Sequence, residues 1–438
     1  MAVSWRSIIR PIVIRATLAW EWWQSGVTYY PVAPRVYRDP YPTYAKLRAR
    51  DPVHWNFLSR SWVFSRYRDI DAILRDHSRF SNDGRYRQDP RQAQAAASPP
   101  GGPSMLFLDP PDHTRLRALV QQAFTPRAIE ALTPRIRRIA ARLLDQVADP
   151  TGFEVMETLA RPLPMIVMAE LLGVPTRDLA QFQRWSYLRA RVIEPTITAR
   201  ERQLAAQAAD ELDAYFLGLI EQRQLEPRYD LISALVAAEA AGDQLSRDEL
   251  LVMLRLLLVA GNETTTNLIG NGLLALLRCP EQWHMLRSDP SVIAGAVDEL
   301  LRYDSPVQVV GRTATQDMEL GGRSIRKGQG IVLLLGSANR DPEVFDHPDR
   351  LDINRHGPSI LGFGRGIHHC LGAPLARLEA RIVFETLQER FSEMRLLTAD
   401  PPFRDNIVLR GLEALPVGAT LSRAERKIAP ESETRGPV

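Results

Sequence analysis

The stretch Phe363-Gly364-Arg365-Gly366-Ile367-His368-His369-Cys370-Leu371-Gly372 places a cysteine between closely spaced glycines. Glycine lets the backbone adopt positive φ and come close to a flat ligand. A cysteine in this setting can present its thiolate to a metal, and a helix that begins after Gly372 would stabilise the negative charge with its positive end. Cysteine is also among the most buried residue types, so a glycine-rich turn around a buried thiol stays open on these residues alone.

Composition and charge exclude several classes of protein. The 438 residues include 55 basic and 52 acidic ones, a balance that gives no indication of nucleic-acid binding. Cys279 and Cys370 are the only cysteines, which argues against a disulfide-rich secreted protein and suits a reducing cytoplasm. No stretch reaches the roughly 18 uncharged apolar residues of a membrane span. We therefore expect a cytoplasmic location.

Residues 1–38 form a distinct basic segment that is rich in tryptophan. It combines two residue types that favour membrane interfaces, namely Trp5, Trp20, Trp22 and Trp23 with Arg6, Arg10 and Arg15. A basic, tryptophan-rich amphipathic segment can lie on a membrane surface. Peripheral contact with a membrane or a partner protein is therefore one interpretation, and a tail that packs on the body or stays disordered is the other.

The pattern Phe-x-x-Gly-x-x-x-Cys-x-Gly around Cys370 resembles the haem-binding loop of the cytochromes P450, with every fixed position filled. The resemblance implies haem b as cofactor, Cys370 as the iron ligand, and cofactor contacts from Phe363, Gly364 and Gly372. It also implies a mainly α fold with small β-sheets (α+β), in which a long central helix crosses the haem and the Cys loop lies on the opposite side. It extends over residues 39–421, which we assign to a single catalytic domain, and leaves 422–438 as a tail.

A long helix is predicted to begin at the capping box Ser246-Arg247-Asp248-Glu249 and to run for about thirty residues. Glycine and successive threonines near its middle are locally unfavourable for a helix, which favours a functional role there. The run Ala260-Gly261-Asn262-Glu263-Thr264-Thr265 resembles the oxygen-activation motif of the cytochromes P450. The resemblance implies that Glu263 and Thr264 relay protons and that Ala260 and Gly261 contact the cofactor.

A second motif, Leu108 to Arg117, predicts a helix on which His113 and Arg117 share one face because they are four residues apart. Two donor groups on one face suit a carboxylate, although a solvated face is the alternative for these residues in isolation. The stretch resembles the P450 helix that holds a haem propionate. By the same resemblance Arg312 and His368 contact the propionates as well.

Structural and substrate-binding residues follow from the same resemblance. Glu299 and Arg302 are three apart on one helical face and can pair, and in the family an arginine of the later meander joins them, which we assign to Arg350. The substrate pocket is expected to be bordered by the irregular segment 81–103. Its lining is expected to include Tyr187 on a helical lid, Leu257, Val307 and Val309.

The resemblance implies a bacterial, soluble-type haem-thiolate monooxygenase. Such an enzyme inserts one oxygen atom of O2 into an apolar organic substrate by hydroxylation or epoxidation, and we expect a role in specialised metabolism. Electrons would come from an external ferredoxin and an NAD(P)H-dependent ferredoxin reductase, because the chain carries no flavin or ferredoxin motif of its own. Two alternatives remain open: a peroxide-driven P450, and a non-catalytic haem protein that binds a ligand or recruits another enzyme to a carrier-bound substrate. Contact with a carrier protein is a further expectation.

Overall fold

The computed structural model describes residues 5–88, 104–240 and 245–423. Most of the irregular segment expected to border the pocket, residues 89–103, lies outside the described residues, as do 424–438 of the expected tail. Among the described residues, no helix is long and apolar enough to cross a bilayer.

Helices dominate the described part of the chain. In chain order the α-helices are α1 Trp5–Ser25, α2 Pro34–Arg38, α3 Tyr41–Arg50, α4 Tyr67–Arg75, α5 Asp112–Gln121, α6 Pro126–Glu130, α7 Thr133–Asp145, α8 Pro162–Leu172, α9 Leu179–Ala190, α10 Ala199–Leu225, α11 Leu231–Ala240, α12 Arg247–Arg278, α13 Pro280–Ser288, α14 Ile293–Tyr303, α15 Leu335–Ala338 and α16 Ala373–Arg390.

Three small sheets accompany the helices. Their strands are β1 Val53–Asn56, β2 Ser61–Phe64, β3 Phe80–Ser81, β4 Phe153–Glu154, β5 Val309–Ala314, β6 Met318–Leu320, β7 Arg323–Ile325, β8 Gly330–Leu334, β9 Phe391–Leu396 and β10 Pro416–Leu421. The largest sheet has the order β1-β2-β8-β5-β3, and the others are β4-β10-β9 and the hairpin β6-β7. Only β2 and β8 pair in parallel among these described strands. The expected α+β class is confirmed.

Helix α12 is the spine of the molecule. It has 32 residues, a length of about 48 Å at 1.5 Å per residue. The predicted capping box is present: the Glu249 amide donates to Ser246 Oγ at 3.2 Å, and the Ser246 amide donates to Glu249 Oε2 at 2.8 Å. Helices α8, α9, α10, α14 and α16 pack against α12 and bury most of its side chains. A helix covered on nearly all sides needs apolar residues around its whole circumference, and α12 has them except near its middle.

A buried arginine, Arg302, pairs with Glu299 within α14 and joins this helix to the segment that leads towards Cys370. Arg302 Nε and Nη2 donate to the two carboxylate oxygens of Glu299 at 2.7 and 2.9 Å. Arg302 Nη1 also donates to the carbonyl oxygens of Asn339 at 2.9 Å and Pro348 at 2.7 Å. These bonds fix the irregular segment after α15 on the core, because a buried guanidinium must find an acceptor for each donor.

The assignment of Arg350 as the third member of this pair is wrong. Its side chain is exposed, and only its carbonyl oxygen accepts a bond from Arg302, at 3.1 Å. Arg355 takes the place, since its Nε lies 3.2 and 3.1 Å from the two oxygens of Glu299. Alternation explains the difference: Leu351 and Ile353 are buried, and Arg355 continues the inward side of this extended segment.

We predict that Arg355→Ala lowers the free energy of unfolding by about 1.5–3 kcal/mol, the usual loss for a hydrogen bond to a charged group. Arg350→Ala is the matched control and should change it by less than about 0.5 kcal/mol, as an exposed side chain does. Urea unfolding followed by circular dichroism measures both. Equal losses in the two variants would contradict the assignment of Arg355.

Candidate active site

The loop around Cys370 is fixed by its own backbone. The Cys370 amide donates to the carbonyl oxygen of Phe363 at 2.9 Å, which closes the loop on itself. Gly366 has φ +66, and a Cβ there would clash with the carbonyl oxygen of Leu74 in α4. Only glycine therefore allows the loop to sit this close to α4.

The protein around the Cys370 sulfur acts on the charge of the thiol in two opposing ways, of which burial is the larger. The side chain keeps accessible surface, yet the surrounding protein is dense enough that burial raises the pKa of the thiol. The amides of Gly372 and Ala373 and the charges of Arg117 and Arg377 act in the opposite direction and lower that pKa. Ala373 is the first residue of α16, so the positive end of a helix faces the sulfur, as predicted. The site suits a thiolate that ligates a metal, because a bound metal deprotonates its thiol ligand outright.

Four basic side chains from three separate elements converge beside the loop: His113, Arg117, Arg312 and His368. The rings of His113 and His368 lie 4.3 Å apart between centroids. Burial, followed by the charges of the other three members, lowers the pKa of His368 to about 3. Burial likewise lowers the pKa of His113 and of Arg117.

This basic cluster is incomplete as a hydrogen-bonding set. His113 Nδ1 and His368 Nε2 are buried and have no hydrogen-bond partner among the described residues. Arg312 donates to Asn82 Oδ1 at 2.6 Å and to the Gly311 carbonyl at 2.7 Å, and burial lowers its pKa to about 10. Two arginines beside two buried histidine nitrogens without partners suit a ligand that carries more than one carboxylate. The structure thus brings together all four residues that the sequence indicated for this role.

The middle of α12 opens on one face. Ala260 is exposed and Thr264 is half-buried, while most of their neighbours along the helix are buried. Thr264 Oγ1 donates to the Ala260 carbonyl at 2.7 Å, so the hydroxyl is held on this face by its own helix. A short side chain followed by a fixed hydroxyl leaves room there for a small ligand.

Gly261 lies against a neighbouring helix: a side chain there would meet the terminal methyl group of Met168 in α8. Its contact with the cofactor stays a prediction. The next residue, Asn262, is also turned towards the protein, because its Nδ2 donates to Ser186 Oγ in α9 at 3.0 Å.

Glu263 is buried and forms an ion pair with Arg404, which sequence reasoning missed. Arg404 comes from the loop between β9 and β10, in a Phe-Arg-Asp context without a recognisable motif. Its guanidinium also lies 5.8 Å from the ring centroid of Tyr187 in α9. The acidic residue of the motif is therefore compensated by a cation that touches the region expected to form the lid.

The same loop is anchored by Glu194, a second residue without a sequence signal beyond its place before Pro195. The Glu194 carboxylate accepts bonds from the amides of Ile407 at 2.7 Å and Leu409 at 2.8 Å. Its side chain lies in the break between α9 and α10 and is buried. A carboxylate that collects several amide bonds holds its partner segment firmly, so the loop that carries Arg404 is tied to the two helices expected to form the lid.

The candidate pocket residues occupy different settings. Leu257 is buried in the main core, and Tyr187 is half exposed beside Arg404. Val307 and Val309 are half-buried, Val307 in a bridge to Leu409 and Val309 on β5. Their contact with a substrate stays a prediction.

Comparison with known proteins identifies the family. Residues 53–410 match the family model "Cytochrome P450". The chain is 42% identical over 402 residues to polyketide biosynthesis cytochrome P450 PksS of Bacillus subtilis, which covers 89% of this chain and 98% of that protein. It is 42% identical over 389 residues to cytochrome P450 monooxygenase PikC of Streptomyces venezuelae, covering 86% of this chain and 91% of PikC.

A solved structure agrees with these relatives. The structure of P450BioI in complex with an acyl carrier protein ligated to hexadec-9Z-enoic acid superposes with a TM-score of 0.81 at 38% identity, covering 88% of this chain and all of that chain. The fold, the matched family model and the relatives agree over most of the length. The chain belongs to the cytochrome P450 family of monooxygenases.

Proposed function

We propose that this protein inserts one oxygen atom of O2 into a C–H or C=C bond of an apolar organic substrate, in specialised metabolism. The observation that carries the proposal is the combination of a cysteine loop, whose sulfur is faced by two amides and two arginines, with the open face of α12 at Ala260 and Thr264. The cysteine loop suits a thiolate-ligated metal, and the open face of α12 offers a small space bordered by a proton donor.

Members of the family carry haem b, and the residues present fit it. Cys370 would ligate the iron, and the basic cluster would bind the two propionates with the unpartnered nitrogens of His113 and His368. Bound haem supplies the iron at which O2 is activated, and thiolate ligation favours cleavage of the O–O bond. Phe363 would stay in place beside the loop because Arg377 lies 4.5 Å from its ring centroid.

Proton supply falls to Thr264 and Glu263 in this proposal. The Thr264 hydroxyl holds a proton on the open face, and rotation about χ1 would turn it from the Ala260 carbonyl towards O2. Glu263, whose charge Arg404 compensates, would take up a proton from solvent water on the flank of α12 and pass it to the Thr264 hydroxyl. Positioned proton donors of this kind contribute about 10²–10⁴ in rate.

The substrate class is inferred from relatives and from chemistry. PksS is named for polyketide biosynthesis, and P450BioI is solved with a fatty acyl group on its carrier protein. We propose a polyketide-like or fatty-acyl substrate, presented either free or on a carrier protein. An apolar lining around Leu257 and Val307 would suit such a chain.

A cytoplasmic ferredoxin with its NAD(P)H-dependent reductase is the proposed electron donor. Two arginines at the Cys loop, Arg365 and Arg377, support this because they keep part of their side chains exposed, as does Arg115 on α5. Each already pairs with a carboxylate of this chain, so an acidic partner would compete for charges that are available only in part. The small number of cysteines supports a reducing compartment.

The test is turnover of the holoenzyme with ferredoxin, reductase, NADPH and isotopically labelled O2. Free fatty acids, macrolides, steroids and carrier-bound acyl chains would first be screened for a shift of the Soret band. We expect a ligand that shifts the band to yield a product with one labelled oxygen. A shift without product under these conditions would identify a ligand-binding protein instead, and full turnover by peroxide without reductase would identify a peroxide-driven enzyme.

Removing the hydroxyl tests the proton relay. Thr264→Ala should reduce product formed per NADPH by about tenfold or more, while NADPH oxidation continues, because no positioned hydroxyl then delivers the proton. Thr266→Ala, a buried threonine on another side of α12, is the matched control and should stay coupled. A fully coupled Thr264 variant would contradict the role.

The basic cluster is tested by haem retention instead of activity. Arg312→Met should speed haem transfer to apomyoglobin by about 10- to 100-fold, since one charged hydrogen bond contributes about 1.5–3 kcal/mol. Arg350→Met changes the same side chain at an exposed site and should leave the rate unchanged. Equal rates for both variants would show that Arg312 does not hold the cofactor.

A further inference from the structure

Helix α1 is attached to the body by a polar side chain that points inwards. Glu21 is 1% exposed, and its Oε1 accepts a bond from the Phe57 amide at 2.9 Å in the turn between β1 and β2. Its Oε2 lies 3.6 Å from His54 Nε2, and His54 Nδ1 is 2.9 Å from Asp51 Oδ2. The contact therefore orients the helix, because rotation of α1 would leave a buried carboxylate without its partners.

The opposite face of α1 is apolar and faces outwards. Ile12, Ala16 and Trp20 follow the spacing of four, and Trp23 continues the row. Ile12 is 62% exposed, Trp20 49% and Trp23 71%, and Ala16 is exposed as well. An ordinary surface helix has the reverse arrangement, with polar residues outside.

The apolar surface continues beyond the helix. Phe57 and Leu58, in the turn that Glu21 contacts, are exposed. Between α1 and the sheet lies an open groove of about 670 Å³, where Trp23, Trp55, Phe57 and Trp62 stand beside polar side chains that include Asp51, His54 and Arg323. Exposed apolar side chains grouped on α1 and this turn mark an interaction site.

Charge indicates what covers this patch. The first 20 residues contain Arg6, Arg10 and Arg15 but no aspartate or glutamate, and Glu21 is buried against His54. An apolar face rich in tryptophan on a basic segment complements an anionic lipid surface, where tryptophan prefers the boundary between headgroups and acyl chains. An acidic protein partner would complement the arginines, but it would not account for the exposed tryptophans.

We propose that α1 lies flat on an anionic bilayer, with Ile12, Trp20 and Trp23 inserted below the headgroups and the hairpin turn at Phe57 beside them. The body of the protein would then be held at the membrane by Glu21, whose contact fixes the angle between α1 and the sheet. This proposal does not depend on the catalytic one, since it rests on a face outside the Cys370 site.

Flotation of the holoenzyme with vesicles tests the proposal. We expect binding to vesicles of phosphatidylcholine mixed with phosphatidylglycerol, little binding to phosphatidylcholine alone, and release at high salt as the arginine charges are screened. Tryptophan fluorescence should shift to the blue on binding, and brominated lipids should quench it. Absence of binding to the anionic vesicles, or equal binding to both kinds, would overturn the proposal.

Two exposed side chains supply the decisive variant. Trp20→Ser with Trp23→Ser should lower the vesicle affinity by about tenfold or more, because it removes the largest apolar area from the interface. Tyr229→Ser, at a fully exposed aromatic residue after α10, is the matched control and should bind as before. An unchanged Soret band verifies that both variants fold.

A second copy of the chain is the competing occupant of the patch. Light scattering at rising concentration should show no association that depends on Trp20 and Trp23. A dimer that the double substitution dissolves, together with unchanged vesicle binding, would overturn the membrane assignment.

Discussion

The structure depends on presenting one cysteine sulfur, that of Cys370, from a loop held in place by its neighbours. Burial raises the pKa of the Cys370 thiol, and the amides at the start of α16 counter that effect. This arrangement demands a loop that cannot move, and the loop is fixed from two directions. Gly366 lets it rest on α4, and the pair of Glu299 and Arg302 fixes the segment that leads to it.

Buried charge is balanced in different ways on the two sides of the site. The basic cluster leaves nitrogen atoms unused and so is suited to an anionic ligand. On α12, by contrast, Glu263 already has its counter-ion in Arg404, and the loop of Arg404 is anchored to the break between α9 and α10 by Glu194. The basic cluster has unpartnered nitrogens, whereas Glu263 is already paired, and the loop of its partner is tied to the helices expected to form the lid.

The N-terminal helix shows the same principle at the surface. Its inward glutamate and outward tryptophans would be unfavourable for a helix in water, because exposed apolar area is left uncovered. The bonds of Glu21 to Phe57 and His54 keep α1 in this orientation. A membrane would remove the conflict by covering the outward face.

Local spacing in the sequence determined the Cys370 loop, the capping box of α12, the row of Ala260 and Thr264, and the pair of Glu299 and Arg302. Each rests on turns of backbone whose geometry is set by neighbours within a few residues. Tertiary structure decided the partners of the buried charges: Arg404 lies 141 residues from Glu263, and Arg355, not Arg350, reaches Glu299. Tertiary packing also placed Met168 of α8 where a side chain at position 261 would lie. No periodic pattern in the sequence reveals such contacts, because they form where distant segments of the chain meet. There each buried charge pairs with an opposite charge that folding brings near.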